Sequence, residues 1–240
     1  MDHLPFYIPV VFILTTFIAL YIFYKASGKN RKFLIVAAAW ILVQSVIAAT
    51  GFFTVSNSLP PRFLFLIIAP LLGIIIVLST SIGKLFIDRF DTGMLTLLHS
   101  VRIAVEIVLF LLFLHKAMPH LMTFEGRNFD LISGITAPLV YYLGYRKKKL
   151  GTKILLGWNV ACLLILLFTV SNAILSAPTP FQKFGFEQPS IAIFYLPFVW
   201  LPGVLVPLVI FSHLITIRFL LKEVKHRNSS PLTLAIRQVA

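Results

Sequence analysis

Three ionisable residues, His99, Arg102 and Glu106, follow one another at spacings of three and four residues within an otherwise apolar stretch. At 100° per residue these spacings gather the three side chains within about 60° of arc, so they share one face of a helix. Arg102 and Glu106 are one turn apart and can form an ion pair. The stripe then has two possible roles. It is an internal pair that holds helices together, or it lines a cavity where Glu106 carries a proton or Arg102 holds an anion.

A second histidine, His213, precedes the basic Arg218 by five residues and so lies at nearly the same depth as His99. Two histidines at one depth can ligate a haem iron axially, bind a metal with Glu106, pack between helices or relay protons. Asn159 falls at a similar level, and Gln44 lies near the middle of another apolar stretch. Such amides bond neighbouring helices or contact a ligand. The cofactor stays open, and haem is one candidate.

A further polar group lies in the short segment 115–130, which contains Glu125, Arg127, Asn128 and Asp130. Asn128 or Asp130 is suited to cap the next helix, and Glu125 and Arg127 can pair across a turn. Alternatively, the four residues form an outer rim that selects charged or polar solutes.

The composition determines which elements must position these residues. Hydrophobic residues make up 59% of the 240 and charged residues only 12%, whereas soluble domains carry roughly 25% charged residues. A water-soluble globular enzyme is therefore excluded. The apolar residues form seven blocks of nearly the length of a bilayer crossing, roughly 20 residues: 5–24, 33–53, 63–83, 95–114, 131–145, 154–175 and 193–217. The sequence predicts an all-α polytopic integral membrane protein, with seven transmembrane helices in residues 1–221 and a short tail over 222–240.

Basic residues concentrate in every second loop and in the tail, where they include Lys25, Lys29, Arg31, Lys32, Lys84, Arg89, Arg146, Lys147, Lys148, Lys149, Lys153, Arg218, Lys222, Lys225, Arg227 and Arg237. The positive-inside rule places these loops and the tail in the cytoplasm and the amino terminus outside. A bacterial inner membrane or an equivalent membrane is the expected location. Orientation accounts for much of the net charge of +13, so nucleic acid is not implied as a partner.

The sequence lacks glycine-rich phosphate loops and the Gly-x-Ser-x-Gly and His-Glu-x-x-His motifs, so an enzyme is not favoured. The leading prediction is an intramembrane polar cavity for small-solute or proton-coupled transport or for ligand binding, lined by Glu106, Arg102, His99, His213, Asn159 and Gln44. The alternatives are a membrane redox protein that binds haem through His99 and His213, or a non-catalytic assembly partner. The expected partners are the lipid bilayer, a small solute or proton, and a second copy or another membrane protein.

Overall fold

Residues 4–228, which a computed structural model describes, fold into helices and contain no β-strand. This part of the chain has nine α-helices: α1 (Tyr7–Ala26), α2 (Arg31–Ala49), α3 (Leu64–Ser79), α4 (Ser81–Ile87), α5 (Thr92–Leu98), α6 (Val101–Leu114), α7 (Asp130–Val140), α8 (Thr152–Leu175) and α9 (Val206–Asn228). Two π-helical segments adjoin them, Tyr141–Arg146 after α7 and Leu201–Leu205 before α9. The all-α prediction is confirmed for these residues, and the predicted tail beyond residue 228 lies outside them.

Several helices are compatible with a membrane protein. Within the described residues, five helical stretches are long and apolar enough to cross a membrane: Tyr7–Ala26, Arg31–Ala49, Thr92–Leu114, Thr152–Leu175 and Leu201–His226. The bent pair α3 and α4 makes a sixth if it counts as one span. The remaining predicted block, 131–145, corresponds to α7 and its π-helical extension, which have 11 and 6 residues.

Two predicted blocks differ from the helices that form. The block 193–217 begins too early, because residues 192–200 contain a 3-10 turn at Ala192–Phe194 followed by turns up to Trp200. Pro197 lies in this region and Pro202 in the π-helical segment that follows, and proline supplies no backbone donor for a regular helix. The block 63–83 is broken, since the chain turns by 93° between α3 and α4.

The bend between α3 and α4 depends on two residues. Thr80 has extended backbone angles, and its hydroxyl oxygen accepts a hydrogen bond from Gly83 N at 3.2 Å, which caps α4. Gly83 lies directly against α3: a β-carbon at this position would lie 2.0 Å from the Val77 carbonyl oxygen. The bend therefore requires a glycine at position 83.

The last helix is the centre of the fold and α2 lies at its edge. In the most apolar 18-residue part of Leu201–His226, 61% of the residues are buried, against 6% in Arg31–Ala49. Helix α9 packs on α8, α5 and α3, while α1 packs on α5 and α6. Three side-chain hydrogen bonds attach helix α2 to residues 200–203: Trp40 Nε1 and Gln44 Nε2 donate to the Gly203 carbonyl oxygen at 2.8 and 3.0 Å, and Trp200 Nε1 donates to Ser45 Oγ at 3.0 Å. The π-helical segment thus presents a backbone acceptor to α2.

A surface contact connects the end of α9 to the turn after α4. Asp88 Oδ1 lies 2.9 Å from Lys222 Nζ and 3.3 Å from Arg218 Nη2. The hydrogen bond from Lys222, with help from Arg218, lowers the pKa of Asp88 below its ordinary value of 3.8. The contact is half-exposed, so solvent screening keeps its contribution small.

We expect Gly83→Ala to lower the stability of the protein by about 1–3 kcal/mol, the usual cost of overpacking. The cause is the collision with the Val77 carbonyl group, which opens the bend. Thermal unfolding in detergent measures the effect. Gly73→Ala is the matched control, because a β-carbon there meets no atom within 4 Å; equal unfolding temperatures for the two variants would contradict this account of the bend.

The Asp88 contact predicts a pH-dependent difference between wild type and Asp88→Asn. Because the folded-state pKa of Asp88 is lowered, its stabilisation is present above the ordinary pKa and is lost as the pH falls through the lowered value. At neutral pH the variant should unfold slightly below wild type. The two unfolding temperatures should converge in acid. A difference between them that stays constant with pH would show that the Asp88 charge does not stabilise the fold.

Candidate functional site

Four buried side chains meet where α6 packs on the start of α7: Arg102, Glu106, Asn128 and Asp130, which we call the charged cluster. Each is at most 6% exposed. Asn128 Nδ2 donates to Glu106 Oε1 at 2.6 Å, and Arg102 Nη1 lies 3.8 Å from Asp130 Oδ1. The cluster therefore contains one guanidinium, two carboxyl groups and an amide within the helical core.

Asn128 connects three parts of the chain. Its Nδ2 also donates to the Met122 carbonyl oxygen at 3.1 Å, and its Oδ1 accepts from Asp130 N at 3.1 Å and from Thr169 Oγ1 of α8 at 3.0 Å. The amide thus holds the segment before α7 to α6 and α8 and satisfies the first backbone donor of α7. A buried amide with this many partners is a fixed structural element.

The structure corrects the expected pairing of these residues. The spacing allows an ion pair between Arg102 and Glu106, but in the structure Arg102 makes its ion pair with Asp130, and Glu106 accepts from Asn128. The reason is the start of α7, which brings a carboxylate to the guanidinium and an amide to Glu106.

The predicted outer rim divides into two parts. Asn128 and Asp130 turn inward and join the charged cluster, whereas Glu125 and Arg127 are exposed. The Arg127 guanidinium lies 5.6 Å from the centroid of the Phe184 ring, and none of the ion pairs among the described residues joins it to Glu125. Asn128 and Asp130 lie inside the protein because their partners are on α6 and α8, and Asn128 accepts from the first backbone donor of α7, as the capping alternative predicts.

The structure brings the two buried histidines together as a histidine stack. The rings of His99 and His213 lie face to face, with centroids 3.8 Å apart and planes at 12°. Asn159 Oδ1 lies 3.0 Å from His213 Nδ1, and Ser212 Oγ lies 3.4 Å from His99 Nε2. Trp158 covers the stack, with its ring centroid 5.7 Å from His99 and 6.1 Å from His213. His99 lies at the break between α5 and α6, one turn before Arg102.

This geometry does not fit haem held by the two histidines. Axial ligands point their ring nitrogens at one iron from opposite sides, whereas stacked rings present their faces to each other with no space for an iron. Among the described residues there is also no group of three or more His, Cys, Asp or Glu side chains that could hold a metal ion.

A small cavity of about 70 Å³ borders the charged cluster. Glu106, Asn128, Asp130 and Thr169 line it together with apolar side chains of α3, α6, α8 and the start of α9. Glu106 Oε2 and Asp130 Oδ1 are buried and have no hydrogen-bond partner within the protein. Two acceptor oxygens without a hydrogen bond therefore belong to residues that line the cavity.

Three residues at these sites were missed by the sequence analysis: Thr169, Trp158 and Ser212. A signal for Thr169 existed, because Asn159, Cys162, Leu166 and Thr169 recur at helical spacing along the buried face of α8. Ser212 and Trp158 carried no signal, since each is simply the neighbour of a predicted residue. Gln44, which was predicted in the cavity, lies elsewhere, bound to Gly203.

The fold and the site together define a helical protein whose long apolar helices are compatible with a membrane and surround a buried charged cluster. Residues 60–221, about two thirds of the chain, match the family described as Domain of unknown function (DUF8737), and the chain belongs to this family. The matched stretch contains the charged cluster and the histidine stack and begins after α2. Neither a curated protein nor a solved structure matches the chain.

Removing the charge of Asp130 should lower the stability of the protein much more than removing the charge of Glu106. Asp130→Asn leaves the buried Arg102 without its counterion, which should destabilise the protein by about 3–5 kcal/mol. Glu106→Gln retains a carbonyl oxygen for the Asn128 amide and should change stability little. Unfolding of both variants in detergent tests this, with exposed Glu125→Gln as the control. Equal losses of stability for Glu106→Gln and Asp130→Asn would show that Asp130 is not the main counterion of Arg102.

Proposed function

We propose that this protein crosses the membrane seven times, with its amino terminus outside and its basic loops in the cytoplasm, and couples a proton to the movement or binding of a small solute. Glu106 is the proton-binding group, and Asp130 is the counterion of Arg102. The fifth crossing in chain order, which brings the number to seven, consists of α7 and its π-helical extension and is short but continuous. The distribution of lysine and arginine supports the orientation.

The proposal rests on the charge balance of the cluster, which has two carboxyl groups but only one guanidinium. Arg102 balances one carboxylate, and its ion pair is with Asp130. An ionised Glu106 would be a second, uncompensated charge at a residue only 1% exposed, with a neutral amide as its hydrogen-bond partner. Such a charge costs at least a few kcal/mol in an apolar interior. A proton on Glu106 removes this cost, and its release requires a compensating change in the cavity.

The cavity favours small occupants. A water molecule needs roughly 10–15 Å³ of such space, so about 70 Å³ holds several waters or a compact solute. Pockets for drug-sized ligands begin at roughly 300 Å³. Glu106 Oε2 and Asp130 Oδ1 accept no hydrogen bond within the protein, and they favour solutes that donate hydrogen bonds, such as small amines, amides and alcohols.

The histidine stack gives the proton a further position towards the basic end of the bundle. His99 lies one turn from Arg102, and an imidazole ring can accept a proton at one nitrogen while the other nitrogen donates one. Asn159 and Ser212 orient the two rings. We assign His99 and His213 the role of relay between the charged cluster and the cytoplasmic loops.

Glu106→Gln should abolish proton coupling in a folded protein, because glutamine mimics the protonated acid and cannot release the proton. Full-length protein is first screened for stabilisation by small amines, amides, alcohols, amino acids and organic acids at several pH values. The stabilising solute is then added to proteoliposomes containing a pH-sensitive dye, with the membrane potential clamped. Wild type should acidify or alkalinise the interior when the solute is added, and Glu106→Gln should match empty liposomes.

The exposed Glu125→Gln variant is the matched carboxyl control and should retain the wild-type signal. Unchanged coupling in Glu106→Gln would remove Glu106 from its proposed role. Solute binding that persists in this variant without pH dependence would assign the cavity to ligand binding alone.

A further inference from the structure

A second cavity lies on the side of the bundle, between α2 and α3. It has a volume of about 270 Å³ and is lined by Trp40, Phe52, Phe53, Phe65, Leu66 and Ala69, with Gln44 and Ile47 completing it. Its wall is open to the outside, since the side chain of Phe65 is 51% exposed and Ala69 is also exposed. We call this cavity the lateral groove.

The lateral groove exists because α2 stands away from the bundle. Within α2, all of whose residues the structure describes, Gln44 alone is buried. The helix is held by α1, by the bonds from Trp40 and Gln44 to Gly203, and by the bond from Trp200 to Ser45. Below the turn at Phe52–Thr54, the space between α2 and α3 is therefore left without protein atoms.

A basic side chain lies at one end of the lateral groove. The Arg62 guanidinium lies 4.8 Å from the centroid of the Phe52 ring, and Phe52 lines the groove. Arg62 precedes α3 and is half-buried, and none of the ion pairs among the described residues includes it. A cation is thus fixed at the end of an apolar slot, at the level where the chain enters α3.

We propose that the lateral groove binds one anionic phospholipid, with an acyl chain between α2 and α3 and the phosphate on Arg62. The proposal rests on the membrane embedding of the chain and is independent of the role of Glu106. The aromatic wall suits a hydrocarbon chain, and a guanidinium bound over a ring still has free donors for phosphate oxygens. The groove therefore complements an anionic phospholipid: its apolar lining faces the acyl chain, and the Arg62 cation beside Phe52 faces the phosphate.

The same features disfavour other occupants. Water is unstable in a slot lined almost entirely by aromatic and aliphatic groups, because such cavities offer it few polar partners. A void would forfeit the dispersion contacts of its lining. A second copy of the chain would have to insert an apolar side chain and a carboxylate at the right distance. Lipid supplies both groups in one molecule and surrounds the groove on its open side.

Native mass spectrometry of the full chain, extracted in mild detergent and titrated with dioleoylphosphatidylglycerol or dioleoylphosphatidylcholine, tests the proposal. Wild type should retain one phosphatidylglycerol and bind it more tightly than phosphatidylcholine. Arg62→Gln should weaken phosphatidylglycerol binding about fivefold, the effect of one basic residue at an anionic lipid surface. Arg127→Gln is the matched control, because Arg127 also lies over a phenylalanine ring but lines neither the lateral groove nor the cavity beside the charged cluster.

The groove itself is tested by filling it. Ala69→Phe should remove the retained lipid, whereas Ile68→Phe, at the neighbouring position outside the groove, should bind as wild type does. Equal binding of the two lipids, or equal effects of Arg62→Gln and Arg127→Gln, would overturn the proposal. A lipid-free dimer of the wild type that Ala69→Phe dissociates would overturn the proposal and assign the groove to a second copy. Glu106→Gln should leave lipid retention unchanged, so failure of the proposed coupling stays separate.

Discussion

The burial of one guanidinium with two carboxyl groups is the constraint around which this helical protein is organised. Arg102 and Glu106 come from α6, Asp130 from the first residue of α7, and the Asn128 amide from the segment before it. None of these groups has access to bulk water, so each depends on the placement of the others. The close packing of α6 against α7, and the contact of Thr169 on α8 with Asn128, follow from this requirement.

The histidine stack and the charged cluster are two parts of one polar interior. His99 and Arg102 are neighbours on successive turns, so a change of charge in one is felt by the other. Helix α9 contributes His213 and Ser212 and also forms the centre of the packing. A movement of α9 would therefore alter the surroundings of both groups at once.

The sequence predicts the helices well where their apolar runs are uninterrupted, because hydrophobic length and helical spacing are local properties. It fails at Thr80 and near Pro197, where the direction of the chain depends on tertiary contacts. The depth match of His99 and His213 could be read from the sequence, since it needs only the helical rise and the basic loop ends. The inward turn of Asn128 and Asp130 could not, because polar residues in a short loop have the same pattern whether they face solvent or α6. The pairing of Arg102 was misassigned for the same reason.

The attachment of α2 has a consequence for the synthesis of the protein. Trp40 and Gln44 donate to a carbonyl oxygen that lies 163 and 159 residues later in the chain. When α2 emerges from the ribosome, its docking site does not yet exist, and the helix must wait until the segment before α9 has been made. During this interval the indole and amide groups lack their final acceptor. The second helix to be synthesised is thus among the last to be fixed, and the carboxyl-terminal part of the chain completes the assembly of the amino-terminal part.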